Sequence, residues 1–193
     1  MSKTLCVYCA SSDRLDPKYY ALAEQLGALI ATGGNSLIYG GGNVGMMGVL
    51  ARSVKQHGGR VIGVIPDFMV AKELAFTDAD ELVRVHTMRE RKRIMEERAD
   101  AFITLPGGWG TLEEIMEIIT LRQLDVVRKP CVFVNHDGFY DELFRFFDKM
   151  ISEHFNRPSN LKLFSVAENA HQALIQALDE TPRHAASKWF ETR

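Results

Sequence analysis

AFITLPGGWGTLEEIMEIITLRQL, residues 101–124, reads as a strand, a glycine turn and a helix in succession. AFITLP is a mostly apolar run that Pro106 brings to a stop, the pattern of a strand in a buried sheet. From Thr111 onward the apolar side chains recur at three- and four-residue spacing, which predicts a helix over TLEEIMEIITLRQL. Between them Gly107, Gly108 and Gly110 permit positive φ and close backbone approach. A buried strand feeding directly into a helix is one unit of an α/β fold.

The same unit repeats in both directions. LCVYCA, SLIYG and RVIGVIP upstream and PCVFVN downstream read as further strands with little internal alternation. Helical patterns separate them: YYALAEQLGALIA, VGMMGVLARSVKQHG, RERKRIMEERA and FYDELFRFFDKMISE. LFSVAENAHQALIQAL is a brief strand or bend running into a last helix, with capping-box spacing from Ser165 to Glu168. DFMVAKELAFTDADELV, residues 67–83, carries no clear period and reads as irregular. Continuous apolar strands separated by helices predict a parallel sheet covered on both faces. The expected fold is a Rossmann-like, doubly wound three-layer α/β/α domain over residues 1–180. A polar tail, residues 181–193, follows, in which Trp189 and Phe190 are the large apolar side chains.

Composition narrows the function classes. The 193 residues are 46% hydrophobic and 25% charged with net charge -2, so no excess of charge marks a nucleic-acid or membrane-surface protein. No apolar run approaches the roughly 20 residues of a membrane span. MSKTLCVYCASS lacks the basic-then-apolar order of a secretory signal, and a cytoplasmic location is expected. The three cysteines, Cys6, Cys9 and Cys131, are too few for a disulfide framework. Cys6 and Cys9 have CxxC spacing, yet they lie within a predicted buried strand, where a structural role outweighs redox or zinc chemistry.

In a doubly wound fold, ligands bind beyond the carboxyl ends of the strands, and two glycine-rich stretches fall there. YGGGNVGMMG places Gly40, Gly41, Gly42 and Gly45 in a GxGxxG frame. A dinucleotide site also wants an acidic residue at the end of the next strand, and Asp67 comes only after Pro66. The glycines serve close packing, or their backbone N–H groups line a phosphate or sugar site for a mononucleotide. In PGGWGT no lysine follows the glycines, which argues against a Walker loop and triphosphate hydrolysis. Free N–H groups at the head of the helix favour an anion, to which Thr111 can add a hydroxyl.

Thr111 and Glu114 have a bland reading as a capping box, with Glu113 a solvated first-turn acid. Two neighbours tell against a cap alone. One is the run of glycines. The other is MRERKRIMEER, residues 88–98, where Arg89, Arg91, Lys92 and Arg93 oppose the dipole of their own helix unless an anion is near.

VHTMRERKRIMEERADAFITLPGGWGTLEEIMEIITLRQL closely resembles the Lonely Guy (LOG) family, the cytokinin-activating phosphoribohydrolases. The match rests on PGGxGTxxE, here Pro106 to Glu114, and on an arginine–lysine pair after a methionine, here Arg91 and Lys92 after Met88. It extends through CVYCASSD, YGGGNVGMMG and KPCVFVNHDGFYDEL to cover roughly residues 4–180. The family's usual histidine after that methionine is Arg89 here. The resemblance implies a homodimer that hydrolyses an adenine-type nucleoside 5′-monophosphate, prenylated or plain, to free base and ribose 5-phosphate. It implies Arg91 and Glu114 as the catalytic pair. Glu73, Lys92, Gly108, Trp109, Gly110, Thr111, Leu112, Glu113 and Thr120 are the implied substrate contacts. Glu114 would stabilise positive charge on the ribose, with Glu113 able to share the work. No metal and no cofactor is expected, and no nucleic-acid or membrane partner. Similar sequences carry the label lysine decarboxylase, but no lysine here has an evident pyridoxal phosphate setting. Met46, Met47, Met88 and Trp109 suit either a prenyl pocket or ordinary packing. Two competing readings are a non-catalytic nucleotide or cofactor carrier or sensor, of the molybdenum-cofactor carrier type, and a dinucleotide-dependent oxidoreductase.

Overall fold

In the computed structural model, which describes residues 2–70, 72 and 74–179, strand β1 (Thr4–Tyr8) is buried on both faces. Only the middle of a sheet allows that. On one side of it lie β2 (Ser36–Tyr39), β3 (Arg60–Pro66) and β4 (Glu81–Val85), and on the other β5 (Ala101–Thr104), β6 (Cys131–Val134) and β7 (Ser165–Ala167). The seven strands run in the order β4-β3-β2-β1-β5-β6-β7 and every pairing is parallel. The helices are α1 (Pro17–Thr32), α2 (Gly45–Gln56), the single turn α3 (Asp67–Val70), α4 (Met88–Arg98), α5 (Trp109–Gln123), α6 (Asp141–Ser152) and α7 (Ala170–Leu178).

Two apolar layers hold the sheet. Leu5 and Val7 of β1 face α1, α2 and α7, where Leu26, Leu50 and Leu174 pack. Cys6 and Tyr8 face the opposite layer, with Met95 of α4 and Ile115 and Ile118 of α5. The strands are therefore apolar throughout, while their side chains still alternate between two cores. Each fully buried Leu, Ile or Phe contributes roughly 1.5–3 kcal/mol, so the strand ends that carry the loops have firm support. Cys6 and Cys9 lie in opposite cores, and burial pushes both thiols well up, as structural cysteines require.

The order of travel reverses between β1 and β5. Sequential strands step outward from β1 to β4, and the chain then returns to the other flank of β1. Loops leaving β1 and β5 diverge, which opens a crevice at their carboxyl ends.

Two sequence expectations are corrected, and a third falls outside the described residues. The stretch read as irregular contains β4, an edge strand in register with β3 from Ile62↔Glu81 to Pro66↔Val85. Its Glu81 and Arg84 conceal it, because an edge strand needs little apolar pattern. The last helix begins at Ala170, since Ser165 belongs to β7. Its cap is Asn169, whose side chain accepts from Gln172 N at 3.0 Å, while Gln172 Oε1 accepts from Glu168 N at 3.0 Å. The polar tail, with Trp189 and Phe190, lies outside the described residues.

Candidate active site

The glycine turn after β5 starts its helix earlier than the capping-box reading requires. α5 begins at Trp109, with Gly108 at the N-cap and no side chain capping it. Thr111 is therefore the third helical residue, buried rather than a cap, and Glu114 does not reach back to it. The first N–H groups of a helix have no intrahelical acceptor, and Trp109, Gly110 and Thr111, which carry those of α5, line the crevice. None of Gly107, Gly108 and Gly110 has a positive φ. A Cβ placed on Gly108 or Gly110 meets nothing within 4 Å. The chain itself does not need glycine at these two positions, whereas a ligand seated against the backbone does.

Glu114 lies one turn further along and points inward. Its Oε1 accepts from Arg91 Nη1 at 2.6 Å, and the exposures of the two residues are 8% and 6%. Arg91 comes from α4, and its Nε donates to Val64 O at the end of β3 at 3.1 Å. Two anchors fix the guanidinium. Burial raises the Glu114 carboxyl above its ordinary value, and the charge of Arg91 pulls the other way. A carboxylate held in a partly dry site beside one fixed cation is suited to facing developing positive charge or a water.

The next residues on both helices form a second, wetter pair. Lys92 is bonded to Glu113 and lies 2.9 Å from Glu117. Partial burial alone would lower the Lys92 ammonium, but the two carboxylates raise it overall. That is the reverse of what a Schiff-base lysine needs. Arg93 reaches Glu97 at 3.3 Å on its own helix. Arg91, Lys92 and Arg93 thus each meet a carboxylate, on α5 or on α4 itself. The start of α4 is closed by a capping box between Thr87 and Glu90.

The first glycine loop does a different job from the second. An added Cβ on Gly40 would lie 1.7 Å from Arg91 Nη2, so the glycine leaves the space that the guanidinium occupies. The carbonyls of Gly41 and Gly42 accept from Phe76 N and Tyr39 Oη, and Asn43 N donates to Leu74 O. Gly41 and Gly45 have positive φ, and Gly45 lies against Ser11 and Ser12. Packing against Arg91, against β3 and against the loop after β1 accounts for Gly40, Gly41 and Gly45 in turn. Gly42 alone of the four borders the crevice.

The crevice has a volume of about 480 Å³, within the range of small-molecule sites. Of the residues named from the sequence it brings together Arg91, Glu114, Glu113, Thr111, and the turn Gly108–Gly110. It leaves out Leu112, which packs on the core, and Thr120, which faces a groove with Met116, Ile119 and Phe147. Lys92 stands behind Glu113, and Glu73 lies outside the described residues. Met47, Met88 and Trp109 line the crevice, whereas Met46 lines a neighbouring hollow. The sequence reading missed the loop after β1, Cys9 to Ser12, and also Val44, Met69 and Leu74. A run of small residues directly after a buried strand was the available signal for the first group. The other three carried none.

The family model described as "possible lysine decarboxylase" matches residues 47–177. The cytokinin riboside 5′-monophosphate phosphoribohydrolase LOG7 of Arabidopsis thaliana is 43% identical over 179 residues, which is 92% of this chain and 82% of that protein. LOG2 of the same plant is 40% identical over 94% of this chain and 85% of its own length. The enzyme LOG of Oryza sativa subsp. japonica is 38% identical over 94% and 75%. Among solved structures, the molybdenum cofactor carrier protein of Chlamydomonas reinhardtii superimposes with a TM-score of 0.68 at 21% identity, covering 91% of this chain and 95% of that one. The molybdenum cofactor binding protein of Rippkaea orientalis gives 0.68 at 22% identity, covering 91% and 94%. At that identity the structures share the fold alone. The extent and identity of the match to the plant proteins make this chain a member of the LOG family.

Proposed function

We propose that the protein hydrolyses the N-glycosidic bond of adenine-type nucleoside 5′-monophosphates, yielding free base and ribose 5-phosphate. The observation that carries the reading is the buried Glu114–Arg91 pair at 2.6 Å, one helical turn from the uncapped start of α5. The N–H groups of that start hold the 5′-phosphate and fix the ribose before Glu114. As the C1′–N bond lengthens, its electron pair moves to the base and the ribose becomes cationic. The Glu114 carboxylate stabilises that charge and orients the attacking water, whose oxygen bonds to C1′ while its proton passes to the base. Arg91 holds the carboxylate in line and offsets negative charge on the departing base or the phosphate. Glu113 is the lesser candidate, because it is exposed and engaged by Lys92.

The reading includes a homodimer in the cytoplasm. Met116, Ile119, Phe147 and Leu161 line an apolar groove of about 160 Å³, and Phe155 and Phe146 are 76% and 56% exposed. A second copy covering this face would set Thr120 at the boundary between copies. Three free, buried thiols suit a reducing compartment.

Purified protein is incubated with AMP and, separately, with isopentenyladenosine monophosphate, and free base is quantified by chromatography. Glu114→Gln, whose amide oxygen can still accept from Arg91, is expected to lower release several hundredfold in protein that remains folded at the assay temperature, about 10²–10⁴ being the usual reach of such a group. No release by the wild type from either nucleotide would sink the reading and move the carrier or sensor reading forward.

A further inference from the structure

The chain that carries the second glycine turn leaves the sheet at Leu105. β5 is paired with β1 and β6 only as far as Thr104, opposite Tyr8 and Phe133. Leu105 N still donates to Tyr8 O at 2.9 Å, but the Leu105 carbonyl lies past the ladder in a fully buried residue. A buried carbonyl needs a partner. Tyr140 supplies it, with Oη donating to Leu105 O at 2.7 Å. Burial pushes this phenol up, and the Gly107 N–H, bonded to the same oxygen, works against the rise. One hydroxyl therefore joins the two residues that flank Pro106, and Gly108, the N-cap of α5, follows directly.

Tyr140 lies outside the crevice lining and is itself held from several sides. Its ring meets Phe133 of β6 edge-on at 5.2 Å and Phe139 at 4.9 Å. Its N–H donates to Asn135 Oδ1 at 2.7 Å, and Asn135 Nδ2 donates to Asp141 Oδ1 at 2.7 Å. Asn135 N donates to Ala167 O at 2.7 Å, a tie to the end of β7. The hydroxyl thus refers the glycine turn to two buried strand ends. The turn has little support of its own, since a Cβ on Gly108 or Gly110 meets nothing within 4 Å.

Packing alone asks only for the ring. The ring neighbours of Tyr140, namely Phe133, Phe139 and Phe144, are all phenylalanines, and Tyr140 is the member of this cluster that carries a hydroxyl. We infer that Tyr140 is a positioning residue for the anion-binding turn: its hydroxyl fixes the Leu105–Gly108 backbone at the head of α5, and with it the grip on phosphate. The inference rests on the hydrolase reading above for the identity of the anion, the 5′-phosphate of the nucleotide. A phosphate is gripped alike before and during bond cleavage, so a slackened turn raises KM more than it lowers kcat.

Two variants separate the hydroxyl from the ring. Tyr140→Phe removes the hydroxyl and keeps the packing, so the fold is retained, while Tyr140→Leu removes both. For each, kcat and KM are measured with AMP, AMP binding is titrated calorimetrically, and the thermal midpoint is recorded on the same preparation. Tyr140→Phe is expected to raise KM and the dissociation constant of AMP roughly tenfold, the reach of about one hydrogen bond to a charged group, while kcat stays within about threefold. Wild-type KM and affinity in Tyr140→Phe, with losses confined to Tyr140→Leu, would make the residue a packing element and overturn the inference. A fall in kcat at unchanged KM would overturn it as well. Either result leaves the hydrolase reading intact if the wild type releases base. If the wild type binds AMP but releases none, the hydrolase reading fails and the titration alone decides: weaker binding by Tyr140→Phe keeps the inference, and equal binding removes it. A wild type that does not bind AMP would end both.

Discussion

Gly40→Ala tests the packing that fixes Arg91, the arginine proposed for catalysis. The new methyl carbon would lie 1.7 Å from Arg91 Nη2 and 2.9 Å from Cζ, where ordinary contact begins at 3.4 Å. The guanidinium must recede by about 1.7 Å, because the strand end beneath Gly40 is buried and paired and cannot yield as easily. A shift of that size is incompatible with keeping both the 2.6 Å bond to Glu114 and the 3.1 Å bond to Val64 O. Misplacement of about 1 Å at a reacting centre can cost on the order of 10²-fold in rate, and kcat/KM for base release is expected to fall by that much or more. Overpacking adds a stability loss of about 1–3 kcal/mol, which for a chain of this size lowers Tm by roughly 2–12 °C. Base release and thermal unfolding are measured on the same preparation. Wild-type kcat/KM in a protein carrying alanine at this position would refute the claim that Gly40 exists to seat Arg91.

Gly108→Ala is the counterpart. Its methyl meets nothing within 4 Å, so Tm should hold, while KM rises about tenfold to a hundredfold as the methyl intrudes on a charge-assisted contact with phosphate. An unchanged KM would show that the ligand does not approach this backbone. The acid limb of kcat/KM should lie above the ordinary Glu value of 4.5, because burial raises the Glu114 carboxyl, and activity is lost as pH falls through that raised value. The same limb should vanish from the residual activity of Glu114→Gln, and a limb that persists there belongs to another group. For stability the sign is opposite: the folded protein holds this proton more tightly than the unfolded chain does, so the Glu114 contribution favours folding at low pH and fades as pH rises through the raised value.

Most of the fold was legible because five of the seven strands are buried and bounded by turns or helices, and a sixth, the short edge strand β7, runs directly into a helix. The exception, β4, is legible only through its partner: β3 provides the hydrogen bonds, and Asp80 accepts from Val61 N at 2.7 Å just before it. The site was half legible. PGGWGT announced a turn on the crevice, since Gly108 and Gly110, which meet no packing need, show as an excess over what a cap needs. The local pattern T-L-E-E pointed instead to a cap, because nothing in a linear sequence says which face of α5 meets Arg91, a residue 23 positions away. GxGxxG left close packing and a phosphate or sugar site both open, and its first glycine makes room for a side chain that arrives from α4, an event that depends on the closed sheet. Met69 and Leu74 reach the crevice from the segment after β3, where neither period nor composition marks them.

The buried pair also separates catalysis from carriage. A chain that only binds a phosphate gains nothing from a carboxylate beside it, and burying Arg91 with Glu114 costs desolvation that their attraction returns only in part. Replacing both by apolar residues of similar volume, Arg91→Met with Glu114→Leu, is therefore expected to leave the protein as stable as the wild type or more stable by about 1–4 kcal/mol. Either change alone strands one buried charge and should cost about 3–5 kcal/mol, so the two effects should be strongly non-additive in denaturant unfolding. Base release should be lost in all three proteins. A double variant as unstable as either single one would mean that the pair is a structural strut, and the strongest physical reason for reading this crevice as a catalytic site would go with it. A stable, inactive double variant would mean that the protein tolerates a costly ion pair in its core for the sake of the reaction.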